Sequence, residues 1–173
     1  MPSAGTRRLF FALWPNAGVR AGIEARRQRL EPPSKRVVPT HNLHATLVFL
    51  GNQPIERLPL IKEAGDSAAR DASGFELSLD RFGWFAGARV VWLGAEAVAG
   101  GRALVSKLQR LLGEAGIGTD ERAWTPHVTL FRNVPRQPEL PDPEPLAWSV
   151  TSFALIESIP NRPYQVLRSW CLQ

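Results

Sequence analysis

Short apolar runs alternate with helical patterns along this chain. The run Leu9–Trp14 predicts a buried strand, and Pro15 with Asn16 predicts the start of a helix that ends before Pro32. The same criteria predict further elements: strands over 43–50, 75–79, 90–93, 127–131, about 147–157 and 164–170, helices over about 58–71 and 104–115, and an extended surface loop over the five prolines of 134–145.

The order of these elements repeats. A strand, a helix and a second strand that contains histidine occur twice, starting near residue 9 and again near residue 89. Phe11 precedes His44 by 33 residues, and Val91 precedes His127 by 36 residues. Matching order and spacing indicate two units related by a pseudo-two-fold axis, in an α+β fold with antiparallel-rich sheets lining a central cleft and helices outside. We expect a single bilobal domain over 1–173, with lobes of roughly 1–85 and 86–173 between which the terminal strands can cross over.

Two segments carry the same motif. His44-Ala45-Thr46-Leu47 and His127-Val128-Thr129-Leu130 are both His-x-Thr-Leu, 83 residues apart, in a chain with three histidines. Side chains alternate along a strand, so the His and the Thr of each motif point to the same face. Two such strands facing each other would surround a small anion with two acid–base groups and two hydroxyl donors. The pattern indicates metal-free phosphoryl chemistry in which Thr46 and Thr129 bind the non-bridging phosphate oxygens.

The histidines also have simpler explanations. A lone His in an apolar strand is usually a hydrogen-bonded core residue, and Thr is common in strands because of its β-propensity alone. Repetition of the pair favours function. His41 has no counterpart in the second half, and we expect it at the surface or behind the site. A zinc site formed by His41, His44 and His127 is a further alternative.

Positive charge is concentrated near the N-terminus. The chain has a formal net charge of +5, and residues 1–36 hold eight Arg or Lys against Glu24 and Glu31. A basic region of this kind favours a polyanionic partner such as nucleic acid. The alternative is that four arginines only solvate the outer face of the first helix: Arg20, Arg26, Arg27 and Arg29.

Composition excludes several classes of protein. The hydrophobic fraction of 44% is sufficient for a folded core, and the single cysteine, Cys171, excludes an internal disulfide and a cysteine-based metal cluster. No apolar run reaches the ~20 residues needed to span a bilayer. The apolar stretch after Arg7 and Arg8 is too short for a signal peptide. We therefore expect a cytoplasmic protein that does not associate with membranes.

With their flanking residues, the motifs resemble those of the 2H phosphoesterases, which are defined by two His-x-Thr/Ser-x motifs. The resemblance covers nearly the whole chain and is strongest to the branch of RNA 2',3'-cyclic phosphodiesterases, also called 2'-5' RNA ligases. The matching segments are 8–15, 42–51, 91–94, 126–130 and 155–158. The resemblance implies hydrolysis of a terminal 2',3'-cyclic phosphate on RNA to a 2'-phosphomonoester. In the reverse sense, the same site could join a 5'-hydroxyl to the cyclic phosphate in a 2'-5' linkage.

The resemblance also implies roles for individual residues. His44 would protonate the departing 3' oxygen and His127 would activate the attacking water, although the symmetry of the motifs makes the two nearly interchangeable. Arg132, five residues after His127, would pair with the phosphate. That odd offset places Arg132 on the opposite face from His127 unless the strand ends or bulges nearby. Phe131 shares the face of His127 in a regular strand, where it would either stack on a base or pack against its neighbours.

We expect the partner to be RNA with a 2',3'-cyclic phosphate terminus, and the protein to be a monomer without metal or other cofactor. Two alternatives stay open. The substrate could be another cyclic phosphate, such as ADP-ribose 1'',2''-cyclic phosphate, or a 2'-5' oligoadenylate. The chain could instead be a non-catalytic RNA-binding module that retains a phosphate pocket, although binding alone does not require two intact His-Thr pairs.

Overall fold

The computed structural model of the protein describes residues 5–173. In these residues, ten strands and three α-helices follow in the order β1 Thr6–Leu13, α1 Ala17–Arg27, β2 Arg36–Val37, β3 Ala45–Pro54, α2 Leu58–Arg70, β4 Phe75–Leu79, β5 Arg81–Phe85, β6 Val90–Gly94, α3 Ala99–Glu114, β7 His127–Arg132, β8 Leu146–Val150, β9 Ser152–Ser158 and β10 Gln165–Cys171. Two short 3₁₀ turns, Thr40–Asn42 and Ile55–Arg57, precede β3 and α2.

Eight of these strands form one antiparallel sheet. Its order is β10-β9-β1-β3-β7-β6-β5, with β2 also paired to β7, and β4 and β8 form a separate ribbon. The elements β1, α1 and β3 are repeated as β6, α3 and β7. At the centre of the sheet the strand order is β1-β3-β7-β6, so the two repeats meet through their motif strands, as a pseudo-two-fold axis requires. The expected α+β fold rich in antiparallel strands is confirmed. Strand β9 lies beside β1, and β10 lies on the outer side of β9. The division into lobes near residue 85 stays a prediction.

The hydrophobic core lies between one face of this sheet and the helices. Leu9, Phe11 and Leu13 of β1 pack in one cluster with Ile23 of α1 and Leu108 of α3. The alternate positions of β1 and of its neighbour β9 form a second, smaller cluster on the opposite face: Phe10, Ala12, Ala154 and Ile156. We refer to this opposite face as the helix-free face of the sheet.

Several strands differ from the sequence-based prediction, among them the short β2, which was not predicted. The pattern predicts that the first motif strand ends at Leu50, before Gly51, but Gly51 has a φ of 67° at a bulge, and β3 continues to Pro54. The predicted strand 147–157 is two strands, because β8 pairs with β4 while β9 pairs with β1. Strand β5 is missed because Gly83 interrupts its pattern; the glycine is required there by the Trp92 ring that lies over it.

Helix α2 packs closely against the last strand. A Cβ atom added at Gly65 would lie 2.6 Å from Cη2 of Trp170. Trp170 is buried, with 7% of its surface exposed. The Trp170 indole donates a hydrogen bond to Oδ1 of Asp66 at 2.7 Å, so the ring cannot move aside without losing this bond. Glycine is therefore the residue that lets the helix and the strand approach.

We expect Gly65→Ala to lower the free energy of unfolding by about 2 kcal/mol, because overpacking outweighs the better helix propensity of alanine. Gly113→Ala in α3 is the matched control, since nothing lies within 4 Å of a Cβ at that exposed position. The control should raise the free energy of unfolding by about 0.5 kcal/mol or more. Urea unfolding followed by circular dichroism measures both changes, and equal shifts in the two variants would contradict the packing argument.

Candidate active site

The two motifs lie side by side at the centre of the sheet. Strands β3 and β7 pair through Ala45 and Val128, which are the middle residues of the motifs. Both side chains are buried in the core, so the His and Thr that flank each of them point to the helix-free face. In this antiparallel register, each motif histidine lies beside the threonine of the other motif. The four motif residues predicted from the sequence are thus brought together.

Both motif strands contain a bulge immediately after the threonine. The extra residue is Leu47 on β3 and Leu130 on β7, at the same place in each motif. An extra residue reverses the alternation of side chains beyond it. The third residue after each threonine therefore returns to the helix-free face: Phe49 on β3 and Arg132 on β7.

The bulges decide the placement of the residues that follow the motifs. Arg132 is exposed, and its charge acts on His44, so the odd offset from His127 is no obstacle. Phe131 is 2% exposed in the main core, which supports the packing interpretation and leaves no face for a base. The exposed ring at the motifs is instead Phe49, at 45%. Simple alternation places Phe49 in the core, which is why the sequence analysis missed it.

His44 sits in a cage of aromatic rings directly before β3. Its Nδ1 donates a hydrogen bond to the carbonyl oxygen of Asn42 at 2.7 Å, because a carbonyl can only accept. The other nitrogen, Nε2, is then the acceptor and lies 3.1 Å from the Thr46 hydroxyl. Three rings surround the imidazole: Phe10 with a centroid distance of 4.8 Å, Tyr164 at 5.3 Å, and Trp14 stacked at 6.2 Å.

His127, the first residue of β7, repeats this arrangement. Its Nδ1 donates to the carbonyl oxygen of Thr125 at 2.7 Å, again two residues earlier in the chain. Phe85 meets the imidazole edge-on at a centroid distance of 5.0 Å, and Trp92 lies at 6.0 Å. The same hydrogen bond fixes the same tautomer in both motifs and leaves Nε2 of each ring available for proton transfer.

Burial favours the neutral form of both imidazoles. Burial lowers the pKa of His44 to about 4; the Asn42 carbonyl opposes this shift, and the charges of Arg132, His127 and Arg20 add to it. Burial also lowers the pKa of His127, opposed by the Thr125 carbonyl. These couplings place Arg132 and both histidines within one electrostatic environment.

Arg20 contacts residues that surround His44. Its guanidinium lies 5.0 Å from the Trp14 ring, which is the ring stacked on His44. It also donates to three backbone carbonyl groups, those of Pro15 (3.2 Å), Thr40 (2.6 Å) and Leu43 (3.1 Å). Arg20 therefore fixes the segment that leads into the first motif.

Two more arginines of α1 have structural partners. Arg26 donates to the carbonyl groups of Glu144 (2.6 Å) and Pro145 (3.0 Å) at the end of the proline-rich loop. Arg27 is 5% exposed; it pairs with Glu24 and donates to the Val38 carbonyl at 2.5 Å. The alternative, in which the arginines of α1 only solvate its outer face, is wrong for these two and for Arg20. Fewer of the N-terminal positive charges are therefore available to bind a polyanion than the number of arginines and lysines suggests.

A cavity of about 700 Å³ opens beside the motifs. Thr46 and His127 form part of its wall, together with the exposed Phe49 and with Phe85. The other predicted site residues lie outside this wall: His44, Thr129 and Arg132. One residue of each motif, Thr46 and His127, therefore contacts this cavity, whose wall also includes Val105 and Gln109 of α3.

His41 lies exposed in the 3₁₀ turn before β3 and makes no contact with the motif histidines in the described residues. Within residues 5–173, no group of three or more His, Cys, Asp or Glu side chains is arranged to hold a metal ion, so the zinc alternative has no support. None of the helices described is both long and apolar enough to cross a membrane.

Comparison with known proteins points to one family. The family model of the 2'-5' RNA ligase superfamily matches residues 14–161. The RNA 2',3'-cyclic phosphodiesterase of Thermus thermophilus is 34% identical over 180 residues, covering 96% of this chain and 90% of the relative. The enzyme of the same name from Escherichia coli is 33% identical over 173 residues, covering 96% and 97%.

The fold agrees with these sequence matches. The crystal structure of E. coli LigT in the apo form superposes with a TM-score of 0.84 at 33% identity, covering 98% of this chain and 99% of LigT. The E. coli LigT complex with 3'-AMP gives a TM-score of 0.85 at 32% identity. The chain therefore belongs to the 2'-5' RNA ligase superfamily of 2H phosphoesterases, as its paired motifs indicate.

Proposed function

We propose that this protein hydrolyses RNA 2',3'-cyclic phosphate ends to 2'-phosphomonoesters without a metal. The observation that carries the proposal is the pair of motif histidines on one face, each with Nδ1 bonded to a carbonyl two residues earlier. When one of the two imidazoles is protonated at Nε2 and the other is not, the pair can accept a proton from the attacking oxygen and donate one to the leaving oxygen of the phosphate. Membership of the family and the names of two relatives, both RNA 2',3'-cyclic phosphodiesterases, support the substrate.

The reaction is an in-line displacement at phosphorus. A water oxygen attacks the cyclic phosphate, and Nε2 of His127 accepts the proton that the water loses. The bond from phosphorus to O3' breaks, and His44, which enters the reaction as an imidazolium protonated at Nε2 as well as Nδ1, gives the Nε2 proton to O3' to form the 3'-hydroxyl. The hydroxyls of Thr46 and Thr129 and the guanidinium of Arg132 hold the non-bridging oxygens as negative charge develops.

The two halves of the site are suited to different roles. His127 and Thr46 face the cavity, where a nucleophile can approach, whereas His44 lies outside it among three rings. This difference supports His127 as the base that meets water and His44 as the acid that meets the leaving group. A 5'-hydroxyl of a second RNA strand in place of water would give a 2'-5' linkage by the same proton transfers.

The exposed ring of Phe49 supports a role in binding the terminal base. It is 45% exposed on the helix-free face and forms part of the cavity wall with Thr46 and His127. A base placed on this ring keeps its ribose beside the motif residues. Stacking of one base on an aromatic ring contributes about 1–3 kcal/mol to binding.

The first experiment incubates the protein, with EDTA present, with an RNA oligonucleotide that ends in a 2',3'-cyclic phosphate. We expect turnover to a 2'-phosphate, unchanged by EDTA. A 3'-phosphate product would contradict the assignment of O3' as leaving group, and loss of activity with EDTA would contradict the metal-free mechanism. Addition of a 5'-hydroxyl oligonucleotide to the same assay tests the ligation.

His44→Ala and His127→Ala should each lower kcat by about 10²-fold or more, because each removes one partner of the acid–base pair. His41→Ala is the matched control and should keep full activity, since His41 is exposed and outside the site. Thermal unfolding of all three variants checks that the fold is kept. A motif variant that retains activity would overturn the mechanism.

The pH dependence of kcat/KM should be bell-shaped with its maximum below pH 6.5, the ordinary pKa of histidine. The active free protein holds one proton on the histidine pair, and burial lowers the pKa of both members. As pH rises the proton is lost and kcat/KM falls. The bound phosphate anion raises both pKa values, so the kcat profile should lie at higher pH. A flat kcat/KM between pH 5 and 8 would contradict the pair.

Phe49→Ala should lower kcat/KM about tenfold or more on cyclic phosphate ends that carry a base, because the stacking surface is removed. Phe49→Tyr keeps the ring and should retain most of the activity. Leu60→Ala removes another exposed apolar side chain, in α2, and serves as the control. A ribose 2',3'-cyclic phosphate without a base should respond little to Phe49→Ala; an equal loss on both substrates would exclude stacking.

A further inference from the structure

A row of residues leads away from the motifs along the helix-free face of β1 and β3. Three antiparallel pairs form this row: Ala12 with Thr46, Phe10 with Phe49, and Arg8 with Asn52. Successive positions on one face of a strand are two residues apart, which corresponds to about 7 Å. The row therefore leads from a motif hydroxyl, past the exposed Phe49 ring, to the guanidinium of Arg8.

Arg8 is the free cation of this row. Its guanidinium carbon lies 4.8 Å from the centroid of the Phe49 ring, and the side chain is exposed. Within the described residues it makes no ion pair or hydrogen bond. Its neighbour Arg7 points to the other face of β1 and pairs with Glu157 at 3.2 Å. An unpaired guanidinium beside an exposed aromatic ring is a combination that suits single-stranded nucleic acid.

The groups of the row match the three substituents of a terminal ribose: a cyclic phosphate, a base and a 5' phosphodiester. The cyclic phosphate belongs at Thr46 and the histidines, and the terminal base belongs on Phe49. The same ribose carries, through its 5' carbon, the phosphodiester that links it to the preceding nucleotide. A guanidinium at this point can form charge-assisted hydrogen bonds to its two free oxygens.

We propose that Arg8 binds the phosphodiester on the 5' side of the terminal nucleotide. The inference rests on the proposed function and narrows its substrate class to polynucleotide ends, in preference to mononucleosides. Arg8 then contributes in two ways: it stacks on Phe49, and it neutralises the first phosphate of the RNA chain. Binding of that phosphate distinguishes the end of an RNA strand from a free nucleoside cyclic phosphate.

Two small substrates test this directly: adenosine 2',3'-cyclic phosphate with a 5'-hydroxyl and the same compound with a 5'-phosphate. The measured quantity is the ratio of kcat/KM for the phosphorylated over the unphosphorylated substrate. Arg8→Ala should lower this ratio about tenfold, the expected effect of losing a hydrogen bond to a charged group. Arg8→Lys should recover part of the ratio, because it keeps a positive charge without the planar fork.

Arg70→Ala is the matched control, because Arg70 is exposed at the end of α2 and should leave the ratio unchanged. An unchanged ratio in Arg8→Ala would overturn the inference, and so would an equal loss on both substrates, since Arg8 would then act only through Phe49. Wild-type turnover of the RNA oligonucleotide that ends in a 2',3'-cyclic phosphate tests the proposed function by itself. Failure of that turnover would overturn both proposals, whereas normal turnover with an unchanged ratio would overturn only this one.

Discussion

One residue pair determines the geometry of the site. The two halves of the main sheet meet where Ala45 of β3 pairs with Val128 of β7. Since both side chains are buried in the core, the residues before and after each of them must face the other way. A slip of one residue in this register would place the imidazoles in the core and the apolar side chains in the cleft. The core residues of the motifs thus hold the polar ones in place.

Hydrogen bonding and burial then set the state of the imidazoles. A backbone carbonyl fixes each tautomer, and aromatic rings exclude water from each ring. Backbone bonds of this kind do not depend on the identity of the side chains at Asn42 and Thr125. The symmetry is nevertheless broken, because His44 has the tighter enclosure and His127 the open cavity. A duplicated unit can in this way support two different proton transfers.

The sequence was sufficient for most of the fold and for the motif residues, because a repeated His-x-Thr pair in a repeated order of elements is a strong pattern. It was insufficient where the backbone departs from regular alternation. No residue type in the sequence signals the bulges at Leu47 and Leu130, yet each bulge moves the following aromatic side chain, Phe49 or Phe131, to the face opposite the one predicted. The partners of Arg20 are likewise invisible, because they are carbonyl groups brought close only by the folded chain.

The pairing of β9 and β10 beside β1 has a consequence for how the protein is made. Arg7 of β1 and Glu157 of β9 form an ion pair and are 150 residues apart in the chain. The ring of Tyr164 lies against His44, and its amide donates to the Asn42 side chain. The pocket of the first motif is thus completed by a residue that the ribosome adds long after the motif itself. Contacts of such long range are slow to form, so the earliest motif to be translated is among the last regions to be assembled.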